Sequence, residues 1–187
     1  MELKAARRRA VWAAGFVLLI LAALAFSGTP LVGQLTRLAS QFSAVPRIGA
    51  RLIDFTLPAA NGQVISTGQF SGSILVINFW ATWCPPCREE MPALQQIYDM
   101  HRNHGLILVG VNFGEAEESV ARYAREIGVS FPLALDQNMA VARRYQVQGL
   151  PTTIFVDRKG IIRDLIIGGP MSLSYIEDKV QPLLDDK

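Results

Sequence analysis

Cys84 and Cys87 are the only two cysteines in the 187-residue chain, and Pro85 and Pro86 separate them. A pair this close is not the spread-out cysteine framework that staples a small secreted domain. A structural zinc site asks for about four ligands, and the only histidines, His101 and His104, lie a helix's length away. What remains is dithiol chemistry or a chance spacing, and the setting of the pair between a strand and a helix favours the first. One thiolate attacks a partner's disulfide, and the second resolves the mixed disulfide that results. Cys84, at the outer edge of the motif, is the expected attacking thiol and Cys87 the buried, resolving one. No cofactor or metal is called for.

Such chemistry works best where a helix begins, because free N–H groups and the positive helix end stabilise a thiolate there. Ile74 to Trp80 is an almost unbroken apolar run, rich in β-branched and aromatic residues, and reads as a strand buried on both faces. The motif follows at once, and a helical pattern then runs to about His104, where Gly105 stops it. Asp54 to Leu57 and Val64 to Ser66 flank an Asn61-Gly62 turn, which suits a hairpin. Leu106 to Phe113 reads as a second buried strand, Glu117 to Ile127 as a helix closed by Gly128, and Ala140 to Tyr145 as a short helix. Thr152 to Val156 and Ile161 to Ile167 read as strands joined by a turn at Asp157-Arg158-Lys159-Gly160, and Ser172 caps a last helix to Leu184. The order predicts an α/β sandwich around one mixed sheet, over residues 48–187.

Ahead of that domain, Lys4, Arg7, Arg8 and Arg9 precede a stretch from Ala10 to Thr36 without a charged residue. Residues 1–33 read as a signal-anchor that crosses a membrane with its N-terminus cytoplasmic, and 34–47 as a tether; the domain is then extracytoplasmic. A cleaved signal peptide ending near Ala23-Leu24-Ala25 competes, but apolar residues continue through Leu31 and Val32. From Ile48 onward there are 12 Lys/Arg against 15 Asp/Glu, a net of −3, so the basic pI of about 8.7 belongs to the N-terminal segment. That balance argues against nucleic acid as a partner.

The segment Asn78-Phe79-Trp80-Ala81-Thr82-Trp83-Cys84-Pro85-Pro86-Cys87-Arg88-Glu89-Glu90 resembles thioredoxins, and within them the membrane-anchored TlpA/ResA-like branch. Gly149-Leu150-Pro151-Thr152-Thr153 is similar to that family's loop with a cis-proline opposite the cysteines, and Val111-Asn112-Phe113-Gly114-Glu115 to the end of its central strand. The resemblance implies a thioredoxin fold and reduction of protein disulfides outside the membrane, often in cytochrome c maturation with apocytochrome c as substrate. With no third cysteine, the electrons must come from another protein, and the resemblance implies a membrane conduit of the CcdA or DsbD type.

Two departures from cytoplasmic thioredoxin matter. Asn78 stands six residues before Cys84, where thioredoxin carries a buried aspartate, and an amide cannot take a proton from the resolving thiol. Glu90, three residues after Cys87, projects from a helix toward the same face, and the resemblance also points to it as the active-site acid. It is expected to oppose thiolate formation at Cys87 and to relay its proton, whereas Glu89 is a surface glutamate. The second departure is Pro85-Pro86: neither residue has an N–H, so fewer donors face the Cys84 sulfur. Thiolate stabilisation should be moderate, which favours a reductant or near-neutral exchanger over a strong oxidant.

Trp83, Pro85, Pro86, Leu150 and Pro151 are the expected substrate-contacting residues, with Trp83 an apolar rim, Pro151 cis, and Trp80 in the core. Glu115 is either part of the same site or a plain loop glutamate. Pro92 should kink the helix after Cys87. Arg143-Arg144 reads as a solvated helix face. A peroxiredoxin-type peroxidase would need Pro at 77 and Thr at 81, where this chain has Ile77 and Ala81. A copper chaperone of the SCO type would want Cys-x-x-x-Cys and a later histidine. A thioredoxin-fold binding module whose cysteines never cycle is the remaining alternative.

Overall fold

The computed structural model describes residues 46–186. The membrane segment expected over residues 1–33 and all but the end of the tether lie outside them. No helix among the described residues is long and apolar enough to cross a membrane.

A hairpin of β1 (Thr56–Pro58) and β2 (Val64–Ser66) turns at Asn61-Gly62 as expected. Asp54 and Phe55, read as part of its first strand, instead engage a 3-10 turn at Thr67–Phe70: Phe55 N–H donates to Thr67 Oγ1 at 3.0 Å. Then come β3 (Ile74–Trp80), α1 (Pro85–His101), β4 (Leu106–Phe113), α2 (Glu117–Ile127), β5 (Leu133–Asp136), α3 (Ala140–Arg144), β6 (Thr152–Val156), β7 (Ile162–Ile167) and α4 (Leu173–Asp185). The main sheet has the order β5-β4-β3-β6-β7; β3, β4 and β5 run parallel, and β6 and β7 antiparallel to their neighbours. This is the expected mixed-sheet, thioredoxin-like sandwich.

All seven side chains of β3 are buried, because the strand is central and both sheet faces are covered. Ile74, Val76 and Trp80 join the core beneath α1, α2 and α4, while Leu75, Ile77 and Phe79 join a second core with the hairpin and α3. Burying each large side chain of this kind contributes roughly 1.5–3 kcal/mol. Asn78, by the same alternation, faces α1.

α1 starts on Cys84 as its N-cap, with Pro85 and Pro86 in the first two helical positions, where a missing N–H costs nothing. Its last expected turn, Arg102–His104, tightens to 3-10. Gly128 closes α2 at φ 72°, a left-handed conformation that disfavours other residues. Ser172 accepts a 3.2 Å hydrogen bond from Tyr175 N–H at the start of α4.

β5 was not expected. It is only four residues long and directly follows Phe131-Pro132, too short a run to show a period. The hairpin covers its outer edge through an Ala59–Ala134 bridge and a 2.9 Å bond from Ala60 N–H to Leu133 O.

Candidate active site

Cys84 and Cys87 are joined as a disulfide with an S–S distance of 2.03 Å. Pro85 and Pro86 offer no N–H, so the first donor of the helix is Cys87 N–H, 3.3 Å from Cys84 Sγ. Cys84 retains 4% exposure and Cys87 none. Cys84 also lines a largely apolar cavity of about 380 Å³ with Trp83, Pro85, Pro86, Phe113 and Leu150. A partner therefore meets the Cys84 sulfur first.

Trp83 is 62% exposed on the rim, whereas Trp80 is fully buried with its ring 5.4 Å from that of Tyr123. The Leu150–Pro151 bond is cis, as expected; so is Gly169–Pro170, for which nothing in the sequence spoke. Thr152 Oγ1 donates to Gly149 O at 2.7 Å and closes the loop that carries Leu150. Pro151 is buried behind that loop, and the cavity wall is formed by Leu150 and Gly149.

Glu90 is fully buried and Glu89 exposed. Helical spacing turns Glu90 inward on the side of Cys87, where Asn78 Nδ2 donates to Oε1 at 2.8 Å and Met171 N–H to Oε2 at 3.1 Å. Burial pushes its carboxyl up from 4.5 to about 7, against the opposing pull of those two donors. The acid is thus poised near neutral pH. Asn78 Nδ2 also donates to Thr153 Oγ1 at 2.9 Å, and its own Oδ1 has no partner among the described residues. The register explains the contact, since Asn78 lies opposite Thr153 in the β3–β6 pair.

Glu115 lies beside the loop that enters the cysteine motif rather than on the cavity wall. Its carboxylate accepts from Thr82 N–H and Asn112 Nδ2, each at 2.7 Å, and from the Thr82 hydroxyl. It braces the turn that delivers Trp83 and Cys84. Arg88 lies over the Tyr123 ring, 5.1 Å from its centre.

The remaining polar residues lie elsewhere. His101 Nε2 meets both Glu177 oxygens at 3.0 Å and ties α1 to α4, while a ring nitrogen of His104 meets Met100 O at 3.2 Å. Among the described residues no cluster of three His, Cys, Asp or Glu could hold a metal ion. Arg144 Nη1 donates to Asp54 O at 2.8 Å, and Arg143 is exposed. Sequence reading missed Thr153 as a partner of Asn78, and Met171 and Gly169 as neighbours of Glu90. Thr153 was within reach, since it sits in the quoted Gly-Leu-Pro-Thr-Thr segment; the other two depend on where a distant turn returns.

The profile of the AhpC/TSA family matches residues 48–165. Thiol-disulfide oxidoreductase ResA of Geobacillus kaustophilus is 31% identical over 162 residues, covering 87% of this chain and 89% of that relative. ResA of Bacillus subtilis is 34% identical over 130 residues, 70% of this chain and 72% of the relative. The chain belongs to the AhpC/TSA family and groups with the ResA oxidoreductases. A thioredoxin-family thiol:disulfide interchange protein of Chlorobium tepidum superposes with a TM-score of 0.67 at 25% identity, covering 75% of this chain and 99% of that one. With a dithiol pair at a helix start and these relatives, this oxidoreductase is an enzyme of thiol-disulfide exchange, acting on disulfide-containing proteins.

Proposed function

We propose that this oxidoreductase reduces protein disulfides through Cys84, with Cys87 resolving and Glu90 holding the proton. In its reduced form the Cys84 thiolate attacks one sulfur of the substrate disulfide. A Cys84–substrate disulfide forms, and the other substrate sulfur leaves as a thiolate that takes a proton from solvent. Cys87 then gives its proton to the Glu90 carboxylate and attacks Cys84 Sγ, which expels the second substrate sulfur as a thiolate that takes a proton from Glu90 or solvent. Two electrons have passed to the substrate, and the enzyme is left with the Cys84–Cys87 disulfide. Trp83, Pro85, Pro86 and Leu150 shape the groove for the substrate segment, Pro151 supports it from behind, and Glu115 fixes the turn that presents Cys84.

The observation that carries this reading is a Cys84 sulfur on an open apolar cavity with Cys87 beneath it. The peroxidase alternative has less support, since Ile77 and Ala81, where it needs proline and threonine, are fully buried apolar residues. The basic residues before an uncharged apolar stretch support a single-pass membrane anchor with the domain extracytoplasmic. In an oxidising compartment the pair needs a donor, for which a CcdA- or DsbD-type conduit is the matching chemistry, and apocytochrome c is the substrate we favour. Insulin reduction with dithiothreitol tests the activity: the wild type accelerates it and Cys84→Ser does not. A Cys84→Ser protein as active as the wild type would exclude the mechanism. A Cys87→Ala variant stalls at the mixed disulfide, and its captured partner identifies the substrate.

A further inference from the structure

Glu90 has no contact with solvent, yet the wall over it is thin. The turn between β7 and α4 returns across the carboxylate, with Gly168 N–H donating to Pro151 O at 2.8 Å and Met171 N–H to Glu90 Oε2 at 3.1 Å. Gly169 lies between those two anchors. A Cβ built on it would stand 2.7 Å from Glu90 Oε2 and 2.8 Å from Pro151 Cγ, closer than real Cβ contacts come. Its φ is outside the left-handed region, so the backbone conformation does not demand glycine. The space does. On its other side Gly169 is exposed and lines an open cavity of about 450 Å³ with Pro170, Met171 and Tyr175. One residue of main chain therefore stands between the acid and water.

We propose that Gly169 is a positioning residue for Glu90: without a side chain, the turn closes directly on the carboxylate, keeps it dry and brings Met171 N–H within reach. The proposal rests on the reading of Glu90 as the proton-holding acid and deepens it. Each element packed around Glu90 contributes a named group. From β3 comes the Asn78 amide, from β6 the Thr153 hydroxyl bonded to that amide, and from the turn the Met171 N–H. On α1 the titratable neighbour is Cys87, one turn back. Among the described residues no charged side chain contributes to the raised proton affinity of Glu90; burial does, and that burial is completed by the turn. A side chain at 169 must push the turn or the carboxylate aside and let water in; hydration favours the ionised form by more than loss of the Met171 N–H disfavours it, because burial is the larger influence on the carboxyl.

The full-length chain in its oxidised form provides a direct test, because neither disulfide-bonded cysteine titrates. The Glu90 carboxyl is followed by carbon NMR with labelled glutamate, its resonance assigned through Glu90→Gln. In Gly169→Ala the carboxyl should bind its proton about tenfold more weakly, a fall of about one pH unit in midpoint. Gly168→Ala is the control. Gly168 has φ +90° with open space around it, so an alanine there strains the backbone without approaching Glu90. It should lower stability and leave the midpoint alone. An unchanged or raised midpoint in Gly169→Ala, or an equal shift in Gly168→Ala, overturns the proposal. Should Gly169→Ala fail to fold, Glu90→Asp retracts the carboxylate by one methylene, and Gly169→Ala with Glu90→Asp should fold. Failure of that pair as well would mean that the clash with Pro151 decides, and the proposal falls.

The pH profile of Cys87 alkylation in the reduced protein separates this from the role of Glu90. If Gly169 acts through the acid, Gly169→Ala changes the profile in the wild type and leaves it unchanged in a Glu90→Gln background. A change of equal size in both backgrounds would overturn the proposal. If instead Glu90→Gln alone leaves the profile as in wild type while the NMR midpoint still falls in Gly169→Ala, the positioning stands and the proton role of Glu90 is wrong.

Discussion

Asn78 and Glu90 meet across the β3–α1 interface through a 2.8 Å hydrogen bond, amide donating to carboxylate. The resemblance to thioredoxin suggests a single buried acid on the strand; here its place on β3 holds an amide and the acid stands on the helix. The amide does not ionise and so cannot take a proton, but its N–H stabilises the ionised form of Glu90 and so opposes the effect of burial. With the midpoint near 7, both forms of Glu90 are populated at neutral pH, as a group that accepts and returns protons requires.

The same shift makes stability depend on pH. In the unfolded chain Glu90 titrates near 4.5, and in the fold near 7. Between those values the folded protein holds a proton that the unfolded chain has lost. The contribution is full below 4.5 and disappears as the pH rises through about 7, and it is worth roughly 3 kcal/mol across the window. Glu90→Gln removes the slope, whatever constant offset its amide adds. Urea unfolding of the oxidised protein at pH 4.5 and pH 8 should show the wild type losing more stability over this range than the variant. Parallel behaviour would mean that Glu90 titrates normally.

Gly110 tests the packing behind the site. It lies opposite Asn78 in the β3–β4 pair, and an added Cβ would stand 2.8 Å from Leu133 Cδ2, 3.0 Å from Trp80 Nε1 and 3.1 Å from Phe131 Cε2. Gly110→Ala should cost about 1–3 kcal/mol by overpacking. Thermal or urea unfolding measures it, and a loss below about 0.5 kcal/mol would show that Leu133 and Phe131 repack freely.

The long elements were legible because their runs are long enough to show a period. Six apolar residues out of seven in β3 and eleven patterned residues in α2 leave little choice of state, and the spacing of Cys87 and Glu90 fixes a shared helix face. β5 was not legible: four residues after a proline show no period, and its place beside β4 is decided by the sheet. The sequence left Glu115 open between a site residue and a loop residue, because its direction depends on where Thr82 lies. Met171 and Gly169 reach Glu90 from about 80 positions away. Only the return of the β7–α4 turn brings them there, and no local pattern encodes that.

Redox poise follows from the helix start. Pro85 and Pro86 leave Cys87 N–H as the backbone donor to Cys84 Sγ, so thiolate stabilisation, and with it the reduced form, is favoured less than in a strong oxidant of the DsbA kind. The potential should fall nearer the ~−270 mV of thioredoxin than the ~−120 mV of DsbA. Equilibration against glutathione measures it, and a value close to DsbA's would refute the argument from the missing N–H groups.

Glu90 should also govern the cysteines themselves. When the pair is reduced, an ionised Glu90 one turn from Cys87 raises the cost of a second negative charge there, and a neutral glutamine does not. Glu90→Gln should therefore lower the thiol pKa values and make the coupled pair titrate over a narrower range, visible in the pH dependence of alkylation by iodoacetamide. Resolution of the mixed disulfide should slow, because the carboxylate that takes the Cys87 proton is gone. Glu89→Gln is the control: it changes charge by the same amount on the same helix, but its side chain is exposed. If Glu90→Gln alone departs from wild type, the buried carboxylate is the acid. If both variants titrate and resolve like wild type, the proton leaves Cys87 through water and Glu90 serves only to join α1 to the β7–α4 turn.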